Sequence, residues 1–299
     1  MMMTTTTPAD LGSTLATAAA ELRSTSPTPR LDAELLIAHV TGRDRAWVLA
    51  HPESVLDADA LHALQTALDR RATGEPIAYI RGFKEWLSLR IRTDARALVP
   101  RPETEVLAAA AMADIERRLG EDDGPVVAWE VATGSGAVAV ALALRFREAL
   151  ERGALILIAS DASAEALGLA AENLAAHEVA PLVTLLDADL LAPAGASVPR
   201  PHVVVANLPY LSTAEVDAAE GSLAHEPRVA LEGGPEGLEL VRRLFAELPG
   251  RVAPRATVLL EVALGQADAV EGLVPPGAVV ERLPDLGGVP RVVVVRLPS

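Results

Sequence analysis

Val203-Val-Val-Ala-Asn-Leu-Pro-Tyr210 ends an apolar run in four residues able to hold a nitrogen atom for reaction. An amide or ring-attached amino nitrogen attacks poorly because its lone pair is delocalised. The side-chain oxygen of Asn207 can accept one of its N–H groups, and the backbone carbonyl of Leu208 can accept the other. Gripped by both, such a nitrogen can pyramidalise and attack an electrophile in line. Pro209 stiffens the turn, and Tyr210 offers a ring face to a planar group. The plain alternative is an ordinary Asn-x-Pro loop. Such loops are common, but not after this strand and behind the glycine turn that precedes it in the chain.

That turn is Glu130-Val-Ala-Thr-Gly-Ser-Gly-Ala137. It lies between an apolar run and a helical pattern. Gly134 and Gly136 allow a sharp turn and a close approach to a ligand. The free N–H groups of the next helix would face the same crevice. Taken alone, the segment is equally well a simple turn. Asp161, in Ile158-Ala-Ser-Asp161, ends the following strand, where a carboxylate can accept hydrogen bonds from both ribose hydroxyls. It reads alternatively as the cap of a helix starting at Ala164, and it does not separate a dinucleotide from S-adenosylmethionine. Asp187-Ala-Asp189-Leu190 follows the third strand, where a carboxylate could meet an adenine amine or simply be solvated.

Other chemistries are excluded or weak. The chain has no cysteine, so disulfides, thiolate metal sites and cysteine nucleophiles are absent. This fits a cytoplasmic protein. The six histidines are scattered, with no metal-ligand spacing. The single lysine, Lys84, belongs to no phosphate-binding loop, and there is no Gly-x-Ser-x-Gly elbow. The net charge of −15 falls almost entirely after Pro100, which argues against a phosphate-gripping surface and suits a basic protein partner better. Met1–Asp10 lacks the features of an export signal, and no apolar run reaches the roughly 18 residues of a spanning helix.

The elements that must position these residues are legible from periodicity. Half of the residues are hydrophobic but only 3% aromatic, so the core is aliphatic. Leu31–Val40 and Ala60–Ala72 have helical spacing, with Leu31, Leu35, Leu61, Leu64 and Leu68 on apolar faces. A small bundle therefore ends near Gly74-Glu-Pro76. Ile77–Ile80, Phe83–Leu87 and Leu89–Thr93 read as a small β-hairpin linker. Pro102 and two carboxylates in Arg101–Glu105 open a helix running to about Leu119. Strands at Val126–Val131, Ala154–Ser160, Leu182–Leu186, His202–Ala206, Thr257–Val262 and Arg291–Leu297 alternate with helices at Ala137–Leu150, Ala164–Ala176 and Glu236–Leu248. Pro193–Pro201 is a loop. Strands apolar on both faces indicate a doubly wound α/β sheet.

Asn207-Leu-Pro-Tyr210 resembles the (Asn/Asp)-Pro-Pro-(Tyr/Phe) motif of methyltransferases acting on planar nitrogens. The resemblance widens to the protein-(glutamine-N(5)) methyltransferases of peptide chain release factors, the PrmC/HemK family. It runs through Gly74-Glu-Pro-Ile-Ala-Tyr-Ile80, Leu98-Val-Pro-Arg-Pro-Glu-Thr-Glu105, the glycine turn and Asp161. It continues with His225-Glu-Pro-Arg-Val-Ala-Leu231, Glu261-Val-Ala-Leu-Gly-Gln266 and Asp285-Leu-Gly-Gly-Val-Pro-Arg291. It implies a Rossmann-like class I S-adenosylmethionine-dependent methyltransferase with a seven-stranded sheet. The implied domains are a helical substrate-recognition domain over 1–76, a hairpin linker over 77–98 and a catalytic domain over 99–299.

The implied reaction methylates the glutamine of the Gly-Gly-Gln loop in class 1 release factors, tuning translation termination and leaving S-adenosylhomocysteine. Ala132, Thr133, Gly134, Ser135 and Gly136 would form the cofactor loop, with Asp161 on the ribose and Asp189 and Leu190 near the adenine. Asn207, which also borders the cofactor, would with Leu208, Pro209 and Tyr210 hold the substrate amide. Arg101 would lie near the mouth of the site. No metal, membrane or direct nucleic-acid partner is expected, and a monomer is the default.

Two residues depart from the family pattern. Ala132 stands where glycine is usual, and Leu208 replaces the first proline while keeping the carbonyl. Leucine at that position also occurs in some rRNA adenine dimethyltransferases. An adenine-N(6) methyltransferase acting on DNA or RNA is therefore the second reading, disfavoured by the acidic later part of the chain. A non-catalytic cofactor-binding or factor-binding relative is the third. A nucleotide-dependent dehydrogenase leaves Asn207–Tyr210 unexplained.

Overall fold

Aspartates set the starts of the first helices. The computed structural model describes residues 9–121, 124–192 and 198–299. Residues 1–8 of the polar opening and 193–197 of the Pro193–Pro201 loop lie outside them. One compact unit, within residues 1–82 together with 219–225, contains α1 (Leu11–Glu21), α2 (Pro29–Thr41), α3 (Arg45–Ala50), α4 (Ala58–Ala72) and α5 (Ile77–Arg81). Asp10, Asp44 and Asp57 cap α1, α3 and α4 by accepting the N–H three residues on. Pro29 opens α2, and Gly42 closes it at φ 65°.

Leu11, Leu15, Leu22, Leu36, Ile37, Leu64 and Leu68 form the core of this unit. Leu31 and Leu61, expected on the apolar faces, are 38% and 41% exposed. The register of α2 is tied instead to a buried ion pair: Arg71 Nε lies 2.7 Å from Asp32 Oδ2, and Ser26 Oγ donates to the same oxygen. That turns Ala33, Leu36 and Ile37 inward.

The second unit spans 83–218 and 226–299. It begins with an antiparallel hairpin of β1 (Phe83–Trp86) and β2 (Leu89–Arg92). Next come α6 (Thr104–Glu121), β3 (Val126–Val131), α7 (Ala137–Arg145), α8 (Arg147–Glu151), β4 (Leu155–Asp161), α9 (Ala164–Ala176) and β5 (Val183–Asp187). Then β6 (Val203–Ala206), α10 (Thr213–Asp217), α11 (Glu239–Glu247), β7 (Thr257–Glu261), α12 (Ala267–Glu271), β8 (Val279–Pro284) and β9 (Pro290–Arg296) complete it.

The large sheet has seven strands in the order β5-β4-β3-β6-β7-β9-β8. The first five in that order are parallel, and β9 and β8 are antiparallel additions. Strand β3 explains the unbroken apolar runs. Val126 and Ala128 pack on one face with Leu107 and Ile115 of α6 and Val138 of α7. Val127, Trp129 and Val131 pack on the other with Val241 and Leu244 of α11. Both faces are covered, as a doubly wound sheet requires. The strand order reverses between β3 and β6, and this is where such sheets open a crevice at their carboxyl ends.

Four sequence expectations change. Ile77–Arg81 is helical rather than extended, bounded by Pro76 and by Gly82 at φ 75°. The helix expected over Ala137–Leu150 breaks at Phe146 into α7 and α8. Pro102 lies in the turn before α6, which starts at Thr104. The strand β8 gives no alternating apolar signal because it is the exposed edge of the sheet, with Val279 64% exposed.

Candidate active site

The crevice between β3 and β6 is a cleft of about 730 Å³ including its open mouth, a size suited to a small ligand. Its walls include Ala132, Thr133, Gly134, Ser135, Asp161, Asn207, Pro209 and Arg101. Residues separated by more than a hundred positions thus meet where the glycine turn and the Asn-Leu-Pro-Tyr segment leave adjacent strands.

The glycine turn is built from β3 outward. Gly136 starts α7 at φ 76° without a side-chain cap, and a Cβ there would sit 3.0 Å from Ala170 Cβ of α9. Glu130, at the head of the turn, accepts the hydroxyl of Thr133 at 2.7 Å. Burial pushes the Glu130 carboxyl up to about 8, against that hydrogen bond. Asp161 spans the turn. Its Oδ2 accepts from Gly134 N at 2.9 Å and its Oδ1 from Ser163 N at 2.9 Å. A carboxylate has about four acceptor positions, so further hydrogen bonds remain available on both oxygens. Burial raises the Asp161 carboxyl, opposed by these backbone donors. Asp161 does not cap α9; Ser163 does.

The nitrogen-holding segment is fixed from three sides. Asn207 Nδ2 donates to Thr104 Oγ1 at the start of α6, at 3.3 Å. The amide oxygen of Asn207 therefore points the other way. Among the described residues, neither that oxygen nor the Leu208 carbonyl accepts a hydrogen bond. The Leu208 side chain is buried, and Gln266 Nε2 holds the Tyr210 carbonyl at 2.9 Å. Gly237 allows this close packing. A Cβ at Gly237 would fall 2.1 Å from the Tyr210 oxygen, and at Gly233 one would fall 2.5 Å from the Pro209 oxygen.

Arg101 lines the cleft with its guanidinium anchored to Glu226. Glu226 Oε1 lies 2.5 Å from Arg101 Nη2, and its Oε2 accepts from Val99 N at 3.0 Å. Glu226 is fully buried as a side chain, so it ties the Val99–Arg101 segment to the wall of the site. The other cleft arginine, Arg96, is paired with Asp94 and Glu172. The cleft cations are thus neutralised by their own partners.

Not every sequence candidate lies in the described lining. Gly136, Leu208 and Tyr210 stand behind or beside it. Leu190 is buried against the second core face at φ 52°, and Asp189 is on the surface, with Oδ2 2.6 Å from Arg243 Nη2. Thr104, Glu130, Glu226 and Glu261 lie inside the segments Leu98–Glu105, Glu130–Ala137, His225–Leu231 and Glu261–Gln266 singled out in the sequence, but carried no individual role there.

Comparison with known proteins agrees with this geometry. Residues 13–82 match the PrmC N-terminal domain model. A release factor glutamine methyltransferase of Deinococcus radiodurans is 36% identical over 275 residues, spanning 92% of this chain and 93% of that protein. The chain belongs to the release factor glutamine methyltransferase family. A second member, from Moorella thermoacetica, is 36% identical over 245 residues, 82% of each chain. The catalytic domain of hMettl16, solved with MAT2A 3'UTR hairpin 6, shares the fold at 14% identity, with a TM-score of 0.51 over 83% of this chain and 85% of that one. This is the Rossmann-like class I methyltransferase fold. The enzyme carries Ala132 where the family pattern has glycine, and it holds that alanine at φ 56°. An L-residue there is strained by about 1 kcal/mol.

Proposed function

We propose that this enzyme transfers a methyl group from S-adenosylmethionine to the side-chain amide nitrogen of the glutamine in the Gly-Gly-Gln loop of class 1 release factors. The observation that supports the reading is a pair of uncommitted acceptors on consecutive residues, Asn207 Oδ1 and the Leu208 carbonyl, with Asn207 lining the cleft. A primary amide presents two N–H groups to two acceptors. Held by both, its nitrogen gives up conjugation with its own carbonyl and gains nucleophilicity. Pro209 and the Gln266–Tyr210 contact keep the pair in place.

The residues present fit the cofactor. S-adenosylmethionine supplies a methyl group made electrophilic by its sulfonium charge. The spare acceptor capacity of Asp161 suits a ribose diol. The space beside Gly134, where a Cβ would meet only Ala97 Cβ at 3.9 Å, admits a ligand against the backbone. Ala132, Thr133, Ser135 and Gly136 complete the loop, with Leu190 and Asp189 on the adenine side.

The helical domain over 1–76 is assigned to factor recognition, 77–98 to the joining hairpin and 99–299 to catalysis. The enzyme is taken as a cytoplasmic monomer. No helix among the described residues is long and apolar enough to cross a membrane.

The test is transfer of labelled methyl from S-adenosylmethionine to a release factor with Gly-Gly-Gln, and to the same factor with Gly-Gly-Ala. Label is expected on the first and absent from the second. Equal labelling of both contradicts the site, and labelling of an oligonucleotide alone supports adenine methylation instead.

A further inference from the structure

The two arginines of the cleft differ in what they leave uncommitted. Arg96 commits all three guanidinium nitrogens to Asp94 and Glu172. Arg101 commits one: its Nη2 lies 2.5 Å from Glu226 Oε1. Among the described residues its Nε and Nη1 donate no hydrogen bond. A guanidinium carries five N–H groups, so most of those on Arg101 remain for a ligand. Their direction is fixed. Glu226 Oε2 accepts from Val99 N at 3.0 Å, and Trp86 Nε1 donates to the Arg101 carbonyl at 2.9 Å. One carboxylate thus holds both the guanidinium and the main chain that carries it. The Glu226 side chain is 0% exposed and that of Arg101 is 30% exposed, so a fixed inner partner carries an open outer donor.

We propose that Glu226 is a positioning residue that aims Arg101 at the main-chain carbonyls of the Gly-Gly segment in the substrate loop. The assignment rests on the substrate reading given above. Glycines have no side chain, so a site can grip them only through main-chain N–H and C=O groups. Asn207 Oδ1 and the Leu208 carbonyl are acceptors and suit N–H groups. The carbonyls need donors, and of the two cleft arginines Arg101 has them, in the same lining as Thr104 and Asn207. Its charge is already met by Glu226, which favours a neutral acceptor over a second carboxylate. Glu226 also leads into Val229 and Ala230, which line the cleft themselves.

Neither member of the pair has an adequate substitute. A glutamine at 226 has one side-chain oxygen, which could serve either Val99 N or Arg101, and its NH₂ would face the other donor. A lysine at 101 keeps the charge for Glu226 but lacks the planar fork that serves partner and ligand at once. E226Q and R101K therefore act on one contact from its two ends. Arg101 grips groups other than the reacting nitrogen, so the contact is equally strong before and during transfer. Such a contact sets KM and leaves kcat.

Steady-state kinetics of the full-length protein on a class 1 release factor test the pair. R101K should raise KM for the factor by about 10- to 100-fold, the usual loss for hydrogen bonds from a charged donor, with kcat within about threefold. E226Q should raise KM by about tenfold. The double variant should be no worse than R101K, because Glu226 then has nothing left to aim. E226D is the second variant at this position. It keeps the buried charge but is one methylene too short to span both donors, and the same pattern is expected. Equal effects of the Glu226 variants with Arg101 and with lysine at 101 would leave Glu226 a support for Val99 alone, and overturn the positioning role. An R101K KM equal to wild type overturns the assignment of Arg101.

Binding separates the groups that Arg101 could hold. A factor with Gly-Gly-Ala keeps the main chain and lacks the side-chain amide. Its Kd for the protein loaded with S-adenosylhomocysteine should rise in R101K by the same factor as KM. An unchanged Kd moves Arg101 to the glutamine side chain and overturns the assignment. The Kd of S-adenosylhomocysteine itself should stay within about twofold. A tenfold rise there, with KM for the factor unchanged, gives Arg101 to the cofactor carboxylate and also overturns it. A wild-type protein that neither binds nor methylates the factor defeats the substrate reading and this assignment together. A wild-type KM in R101K defeats this assignment alone.

Discussion

Asn207 buries one end of its amide and offers the other, and that asymmetry makes sharp predictions. Asn207→Ala should lower kcat on a release factor by about 10² to 10³, the usual cost of removing a preorganised polar partner of the reacting group. Cofactor binding in that variant should remain measurable by calorimetry. Full activity in Asn207→Ala is incompatible with the account. Asp161→Ala should do the reverse, raising the cofactor Kd by about 10- to 100-fold through loss of charge-assisted hydrogen bonds. An unchanged Kd there counts against ribose contact. Ala132 is a site of strain rather than of lost chemistry. Ala132→Gly should raise stability by about 1 kcal/mol in denaturant melts, because φ 56° then costs nothing. A destabilised variant would show that the methyl group packs usefully.

The strands and loops that carry these residues were partly legible in the sequence. Val126–Val131 and Val203–Ala206 announced buried parallel strands, because residues on both sheet faces are apolar. The glycine turn and Asn207–Tyr210 were legible because their residue types are demanded by chemistry. Edge strand β8 was not, since an exposed edge has no core face to mark it. The supporting role of Glu226 was not either: it lies in a segment that carries the family resemblance, but its partner Arg101 is far away in sequence.

Gly237 shows the same limit. It reads as a loop residue, yet its missing side chain lets the loop before α11 close on the Tyr210 carbonyl. Gly237→Ala should therefore cost about 2–4 kcal/mol and lower activity together. A fully stable and active Gly237→Ala protein would mean that the loop can withdraw without disturbing Asn207–Tyr210.

Across the whole molecule, pH acts through carboxyls of opposite tendency. Glu130 and Glu261 are raised to about 8 and about 7 by burial. Between pH 4.5 and these values the folded chain keeps protons that the unfolded chain releases. Stability from these two groups is therefore present below about pH 4.5 and is lost as pH rises through 7 to 8. Asp94 and Asp114 are held below the ordinary range. For Asp94 the hydrogen bond from Arg96 is the largest cause; for Asp114 the arginines Arg117 and Arg118 outweigh its burial. Their contribution is present at neutral pH and is lost in acid.

The melting temperature of the cofactor-free protein should decline from pH 5.5 to 8.5, and Glu130→Gln should flatten the upper part of that decline. An unaltered slope in Glu130→Gln would place the titration elsewhere. The central claim concerns where the methyl goes. A class 1 release factor co-expressed with this enzyme, then digested and analysed by fragmentation mass spectrometry, should carry a single added methyl on the glutamine of its Gly-Gly-Gln loop. The methyl should be absent when the enzyme is Asn207→Ala. An unmodified glutamine with the wild-type enzyme, or a methyl on any other residue, contradicts the account.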